Sequence, residues 1–197
     1  MKKSIFYSLV LGVVFFFGSC SKDNLNPLPA TSLLEQDAFV NKTRIISQVN
    51  GLYAGIKSGT YRGGRYLVYN DIRPENFINR TSNGVTGYLL WNHTATADEN
   101  NITNLWNAGY AAINRINIFL EGIEAANPVA SGILTDIEYN QFRGEALTLR
   151  GLVYFDLLVM YAKPYNMDAG SGPVLPLRLI AYKDISGTDM ARSTVAE

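Results

Sequence analysis

The chain has 197 residues, 47% of them apolar, which is enough to bury a core and excludes disorder throughout. Lysine plus arginine and aspartate plus glutamate balance at 17 each, and no stretch is strongly basic, which argues against nucleic acid as a partner. Aromatic residues reach 12%, with twelve tyrosines whose rings join an apolar face to a polar hydroxyl, a composition that serves cores and binding surfaces alike.

Lys2 and Lys3 precede the thirteen-residue apolar run from Ile5 to Phe17, and Gly18, Ser19 and Cys20 follow it. The run is too short to span a bilayer comfortably, so residues 1–19 read as a signal peptide. Small residues directly before the only cysteine resemble a bacterial lipobox, in which the cysteine is lipidated and becomes the first residue of the mature chain. Phe17 departs from the leucine usual at its position, and an ordinary secretory signal with an incidental Cys20 is the alternative. Acyl chains on Cys20 would anchor the protein, each buried methylene contributing about 0.8 kcal/mol. Without residues 1–19 the chain keeps fifteen basic and seventeen acidic residues, a net charge of −2. With one cysteine there is no intrachain disulfide, so stability has to come from packing. Ser21-Lys22-Asp23-Asn24 is similar to the short acidic signals that send some lipoproteins to the outer face of the outer membrane. Residues 20–31, with Pro27 and Pro29, read as a lipidated tether.

The remaining residues, 32–197, read as one helical region. Ser32 and Glu35 fit a capping box, and a first helix is expected over about Leu33 to Ile56, burying Phe39, Ile45, Ile46, Val49, Leu52, Tyr53 and Ile56. Gly59, Gly63 and Gly64 end the pattern. Residues 57–95 read as irregular loops with short strands at 65–69 and 87–91, and so long an irregular stretch in a compact domain is often a binding region. Thr96 and Glu99 form a second capping box for a helix to about Ala126, with Leu105, Trp106, Tyr110, Ile113, Ile116, Asn117 and Leu120 on its buried side. Thr135 and Glu138 form a third box, for a helix to about Lys163, which Pro164 stops. Residues 165–190 read as loop. Thr194 and Glu197 make a fourth box with no helix after it, from which the chain is expected to be the N-terminal part of a longer protein.

Two helices carry a recognisable pattern. The first has Trp106, Asn107, Tyr110, Ile113, Asn117 and Leu120, of which Trp106, Tyr110, Ile113 and Asn117 share a face. The second has Glu145-Ala146, Leu149-Arg150 and Tyr154-Phe155-Asp156-Leu157, followed by Tyr161, Pro164 and Gly172-Pro173-Val174-Leu175-Pro176, with Arg192-Ser193-Thr194 further on. In order and spacing, behind a lipobox, these resemble the SusD/RagB family of outer-membrane glycan-binding lipoproteins, over the N-terminal part of that family's domain. Gly151 departs from the family's usual alanine. A mid-helix glycine costs about 1 kcal/mol relative to alanine and would permit close backbone contact.

The resemblance implies a mainly α protein: a SusD-like helical scaffold, here truncated, with tetratricopeptide-like helix pairs and long irregular loops. It also implies a non-enzymatic surface protein without cofactor, anchored to the outer membrane through Cys20 and facing the cell exterior. Such a protein partners a SusC-like TonB-dependent transporter and loads oligosaccharides, or in some members peptides, into it.

The residues can be weighed beside that resemblance. Glu145 and Arg150 are five apart, about 140° round a helix, so each is expected to pair with another element rather than with the other. Trp106 and Tyr110 read as core. Trp91 lies in the irregular region beside Asn92. A pyranose stacks on an aromatic face while amides, carboxylates and guanidinium groups take its hydroxyls, and Asp71, Arg73, Tyr88, Trp91 and Asn92 supply these types. They are expected to form a glycan contact surface; plain loop packing is the alternative. His93 is the only histidine, so neither a metal site nor a catalytic triad is expected. Arg62-Gly63-Gly64-Arg65 reads as a turn. The Asn41, Asn79, Asn92 and Asn101 sequons read as chance matches in a bacterial lipoprotein. Carboxylate pairs at Asp71 and Glu75, or Asp98 and Glu99, leave a glycoside hydrolase as the competing function. A peptide-capture scaffold is a third.

Overall fold

Three long helices set the frame. The computed structural model describes residues 35–74, 77–78, 87–183 and 190–197, all within one compact unit. The signal segment, Cys20, the tether, Ser32, Glu75 and Asn79 lie outside the described residues. A 3₁₀ turn over Glu35–Phe39 leads to α1 (Lys42–Ile56), α2 (Arg65–Ile72), α3 (Tyr88–Trp91), α4 (Asn100–Ala126), α5 (Asp136–Tyr161) and α6 (Tyr165–Asp168), then to strands β1 (Pro173–Leu175) and β2 (Ser193–Thr194). The fold is mainly α, as the sequence led one to expect. Helices α1, α4 and α5 pack on one another around a shared apolar core. No helix among the described residues is long and apolar enough to cross a membrane.

The core follows from helical spacing. α1 buries Ile45, Val49, Leu52 and Ile56. α4 turns Leu105, Ala112, Ile113, Ile116, Phe119 and Ile123 inward, and α5 meets them with Phe142, Ala146, Leu149, Val153 and Leu157. Gly109 lets α4 and α5 approach closely: a β-carbon there would come within 2.8 Å of the Leu157 side chain. The expected single helix from Leu33 to Ile56 is broken in two. The Asn41 side chain accepts the Arg44 N–H at 2.9 Å and starts a new helix, while Phe39, at the end of the 3₁₀ turn, packs on Phe119 at 5.9 Å between ring centres. Ile46 and Tyr53, expected in the core, are exposed.

Other boundaries shift for identifiable reasons. α4 begins later than the Thr96 box implied, because the Glu99 carboxylate itself accepts the Asn101 and Ile102 N–H groups at 2.8 and 3.3 Å. The Thr135 box is formed in full, with Thr135 N–H donating to Glu138 at 3.0 Å and Glu138 N–H to the Thr135 hydroxyl at 3.3 Å. Lys42 of α1 also pairs with Glu138 and holds that carboxyl at about 2, below its ordinary value. α5 ends at Tyr161, ahead of Lys163. Both expected strands are helices, α2 and α3. Tyr66 and Tyr69 lie three apart and are both buried, a placement that helical spacing gives and strand alternation does not, so packing overrides the β-propensity of Tyr, Leu and Val. The expected loop at 165–190 contains α6 and β1. β1 pairs antiparallel with β2, and its Leu175 enters the core.

The charges in α5 have different fates. Asp156 is fully buried. Its Oδ2 accepts Arg62 Nε at 2.6 Å and the Tyr61 hydroxyl at 2.8 Å, and its Oδ1 accepts Arg62 Nη2 at 2.9 Å. Arg62 also lies over the Tyr66 ring, 5.3 Å from its centre. Burial first, and then the Asp156 carboxylate, push the Tyr61 hydroxyl well above its ordinary value. The chain reaches this clamp through a turn so tight that a β-carbon on Gly63 would fall 2.0 Å from the Lys57 carbonyl oxygen. Phe155, by contrast, is exposed, and a β-carbon on Gly151 would meet open space, so the close backbone contact expected at Gly151 is absent.

Two substitutions should therefore move stability in opposite directions. Arg62→Ala leaves Asp156 buried without its cationic partner and should cost about 2–3 kcal/mol in urea denaturation. Gly151→Ala should stabilise the protein by about 0.5–1 kcal/mol by the same measurement, since the new methyl displaces nothing.

Candidate functional site

The α3 turn and the residues after it build a groove. Gly87 opens α3 in the left-handed region, φ 76°, and the buried Leu90 anchors the helix to the core. His93 turns the chain back with φ 54°, and the Thr94 and Ala95 N–H groups return to the Leu89 carbonyl. Trp91, Asn92 and His93, with Phe77 and Ile78 opposite, line a groove of about 370 Å³. The indole N–H donates to the Phe77 carbonyl at 2.7 Å, which fixes the ring, and Tyr88 lies 5.8 Å from it, centre to centre. Trp91 is half-buried and Asn92 exposed, so a fixed aromatic surface stands beside an accessible amide.

Of the five residues expected in a contact surface, the structure brings Tyr88, Trp91 and Asn92 together. Asp71 is exposed on α2 and does not line the groove. Arg73 points elsewhere: its Nη1 lies 3.4 Å from Met160 Sδ and 3.5 Å from the Val159 and Met160 carbonyls at the end of α5. Sequence reasoning missed Phe77 and Ile78; two adjacent apolar residues in a polar stretch of sequence were the available signal.

The family pattern on α4 and α5 has a task of its own. Six side chains hold the main chain of residues 176–182. The Tyr110 hydroxyl donates to the Pro176 carbonyl at 3.0 Å. The Tyr154 hydroxyl accepts Arg178 N–H at 2.6 Å and donates to the Arg178 carbonyl at 3.0 Å. Asn117 donates to the Arg178 and Ile180 carbonyls at 2.9 and 3.0 Å, and Glu121 accepts Ala181 N–H at 2.6 Å. Asn114 pairs with both the N–H and the carbonyl of Tyr182, at 2.7 and 3.0 Å. Arg150 closes the set, donating to the Asn117 side-chain oxygen at 2.9 Å and to the Leu179 carbonyl at 3.3 Å. Asn117 is buried, and its amide meets these partners in full. The Arg178 guanidinium lies over both Tyr110 and Tyr182, at 5.6 and 4.3 Å. Glu145 ties α5 to α1 by accepting the Tyr53 hydroxyl at 3.0 Å. Trp106 and Tyr110, expected as core, are half-buried: Trp106 lies 4.9 Å from Tyr110 and meets Tyr161 edge-on at 5.0 Å.

Of the carboxylate pairs considered for hydrolysis, Asp71 is exposed on α2 and Glu75 lies outside the described residues, while Asp98 and Glu99 stand at the start of α4. Glu99 is the N-cap of α4, and a hydrogen bond from Thr96 lowers the Asp98 carboxyl below its ordinary value, the wrong direction for a general acid. Among the described residues no group of three or more His, Cys, Asp or Glu could hold a metal ion.

These features define a helical module that presents an aromatic groove on loops and braces an extended segment with polar side chains. A model of SusD-like proteins, described as starch-binding and associating with the outer membrane, matches residues 25–197, and the chain belongs to this family. A SusD superfamily protein from Bacteroides fragilis is 34% identical, with a TM-score of 0.71 over 81% of this chain and 36% of its own. Another from Bacteroides thetaiotaomicron is 27% identical, with a TM-score of 0.63 over 80% of this chain and 34% of its own. A Bacteroides vulgatus protein of the same superfamily, 23% identical, shares the fold with a TM-score of 0.62 over 79% of this chain and 34% of its own. The chain thus spans about a third of the length of the structures it matches. No curated protein matches it.

Arg150→Ala removes one brace of the 176–182 segment without touching the Trp91 groove. It should speed amide hydrogen exchange at Arg178, Ala181 and Tyr182 and lower stability by about 1–2 kcal/mol. Ligand affinity of the folded fraction should stay the same, as measured by calorimetry.

Proposed function

We propose that this protein is a surface lipoprotein that binds oligosaccharides and hands them to a SusC-like TonB-dependent transporter. In this reading residues 1–19 are removed, lipid on Cys20 holds the protein to the outer membrane, residues 20–31 act as a tether, and residues 32–197 face the exterior. The observation that carries the reading is the Trp91 groove. Its ring is held by the bond to Phe77 and stands ready to stack on a pyranose, with the Asn92 amide placed to take hydroxyls. Family membership supports the same ligand class, since the family is described as starch-binding. Asp71 and Arg73 are not part of the proposed contact. In this reading the protein acts as a receptor rather than an enzyme: Glu99 is taken up by a helix cap, and the hydrogen bond from Thr96 lowers the Asp98 carboxyl below its ordinary value.

The test is affinity electrophoresis of the purified protein through gels containing soluble starch, dextran, arabinoxylan, galactan or mannan, with a reducing-end assay on the same mixtures. Retardation by at least one glycan without release of reducing ends is expected, and Trp91→Ala should weaken that binding by about tenfold. Unchanged affinity in Trp91→Ala would remove the proposed contact, and reducing-end release would turn the reading to hydrolysis.

A further inference from the structure

A second aromatic surface stands at the start of α4, outside the groove described above. Ala97, Ile102, Thr103, Trp106, Asn107 and Tyr161 line a pocket of about 400 Å³. Trp106 is held from two sides, by Tyr110 at 4.9 Å and by the edge of Tyr161 at 5.0 Å. Tyr161 is itself fixed, its hydroxyl donating to the Ile102 carbonyl at 2.7 Å. Burial pushes that hydroxyl well above its ordinary value, so it stays a neutral donor. The exposed Asn107 amide and the Thr103 hydroxyl add polar groups at the rim. A buried core tryptophan would leave no such opening. A fixed, half-open aromatic pair with an amide beside it has the same chemistry as the Trp91 groove: an apolar face for a sugar ring and a donor–acceptor for its hydroxyls.

The two surfaces are close along the chain. Ala97 is six positions after Trp91, a reach of at most about 20 Å. A smaller cavity of about 60 Å³ adjoins the Trp106 pocket, sharing Ile102 and Tyr161 with it, and is also lined by Leu90, the residue before Trp91. We propose that the Trp106–Tyr161 pocket is a second carbohydrate subsite, taking a further ring of the polymer whose first ring stacks on Trp91. This rests on the glycan-binding reading. Its consequence is a preference for long chains, because a ligand spanning both surfaces gains from effective concentration while a single sugar does not.

The chain has two tryptophans, so each surface can be read separately. Trp91→Phe leaves Trp106 as the only indole, and Trp106→Phe leaves Trp91. Both proteins are titrated with the glycans named above while tryptophan emission is followed. The expected result is that the glycan that shifts Trp91 emission also shifts Trp106 emission. In otherwise native protein, Asn107→Ala, an exposed change that spares the aromatic packing, should weaken the polymer about fivefold and leave the disaccharide of the same sugar unaffected. If Trp91 responds and Trp106 does not, the second subsite is overturned while the first reading stands. If Asn107→Ala weakens polymer and disaccharide alike, the spanning mode is overturned. If neither indole responds to any glycan, both readings fail.

Discussion

The structure depends on one buried carboxylate. Asp156 sits on α5 with no exposure to solvent, and an ionised group there is tolerated only if its oxygens are satisfied. Arg62 meets it with two parallel bonds and Tyr61 with a third. Because the partners lie in the turn after α1, the clamp fixes where that turn ends and where α2 begins. α2 and the left-handed Gly87 in turn seat α3: a β-carbon on Gly87 would strike Ile72 at 2.9 Å and Tyr69 at 3.3 Å. The position of Trp91 thus traces back to the Asp156 pair through a chain of close contacts.

The second organising device replaces a sheet with side chains. An extended segment needs partners for its main-chain N–H and C=O groups, and a neighbouring strand usually supplies them. Over residues 176–182 the partners are tyrosine, asparagine, glutamate and arginine side chains of α4 and α5. This explains why the family pattern places polar residues among apolar ones on helices that otherwise form a core. Tyr110, Asn117, Arg150 and Tyr154 are spaced to lie along one seam between two helices, and their hydrogen bonds to the segment all go to main chain.

Much of this was legible in advance, and the failures are instructive. The α4 and α5 periodicities and the Thr135 cap are local signals: both helices formed, with shifted ends, and the cap formed in full. The need for Arg150 and Glu145 to find partners on other elements followed from their angular separation on the helix. The expected strand at 65–69 was a helix because its residues carry β-propensity but its two tyrosines are buried three apart, a long-range effect that a short window does not contain. The same limit applied to the site. Tyr88, Trp91 and Asn92 are neighbours in sequence and stayed together, while Asp71 and Arg73 lie fifteen or more positions before them, a separation over which local composition does not set spatial neighbours.

The sequence by itself determined the helical class, the family and the residue types available for recognition, because these are written in spacing and composition. Only the tertiary structure decided which partner each charge takes, which aromatic rings stay half-open, and which apolar residues face Trp91. Arg62 lies 94 positions from Asp156, and Tyr161 lies 55 from Trp106. Pairings at that distance are selected by how three packed helices bring their faces together, a constraint of the whole core that no local pattern carries.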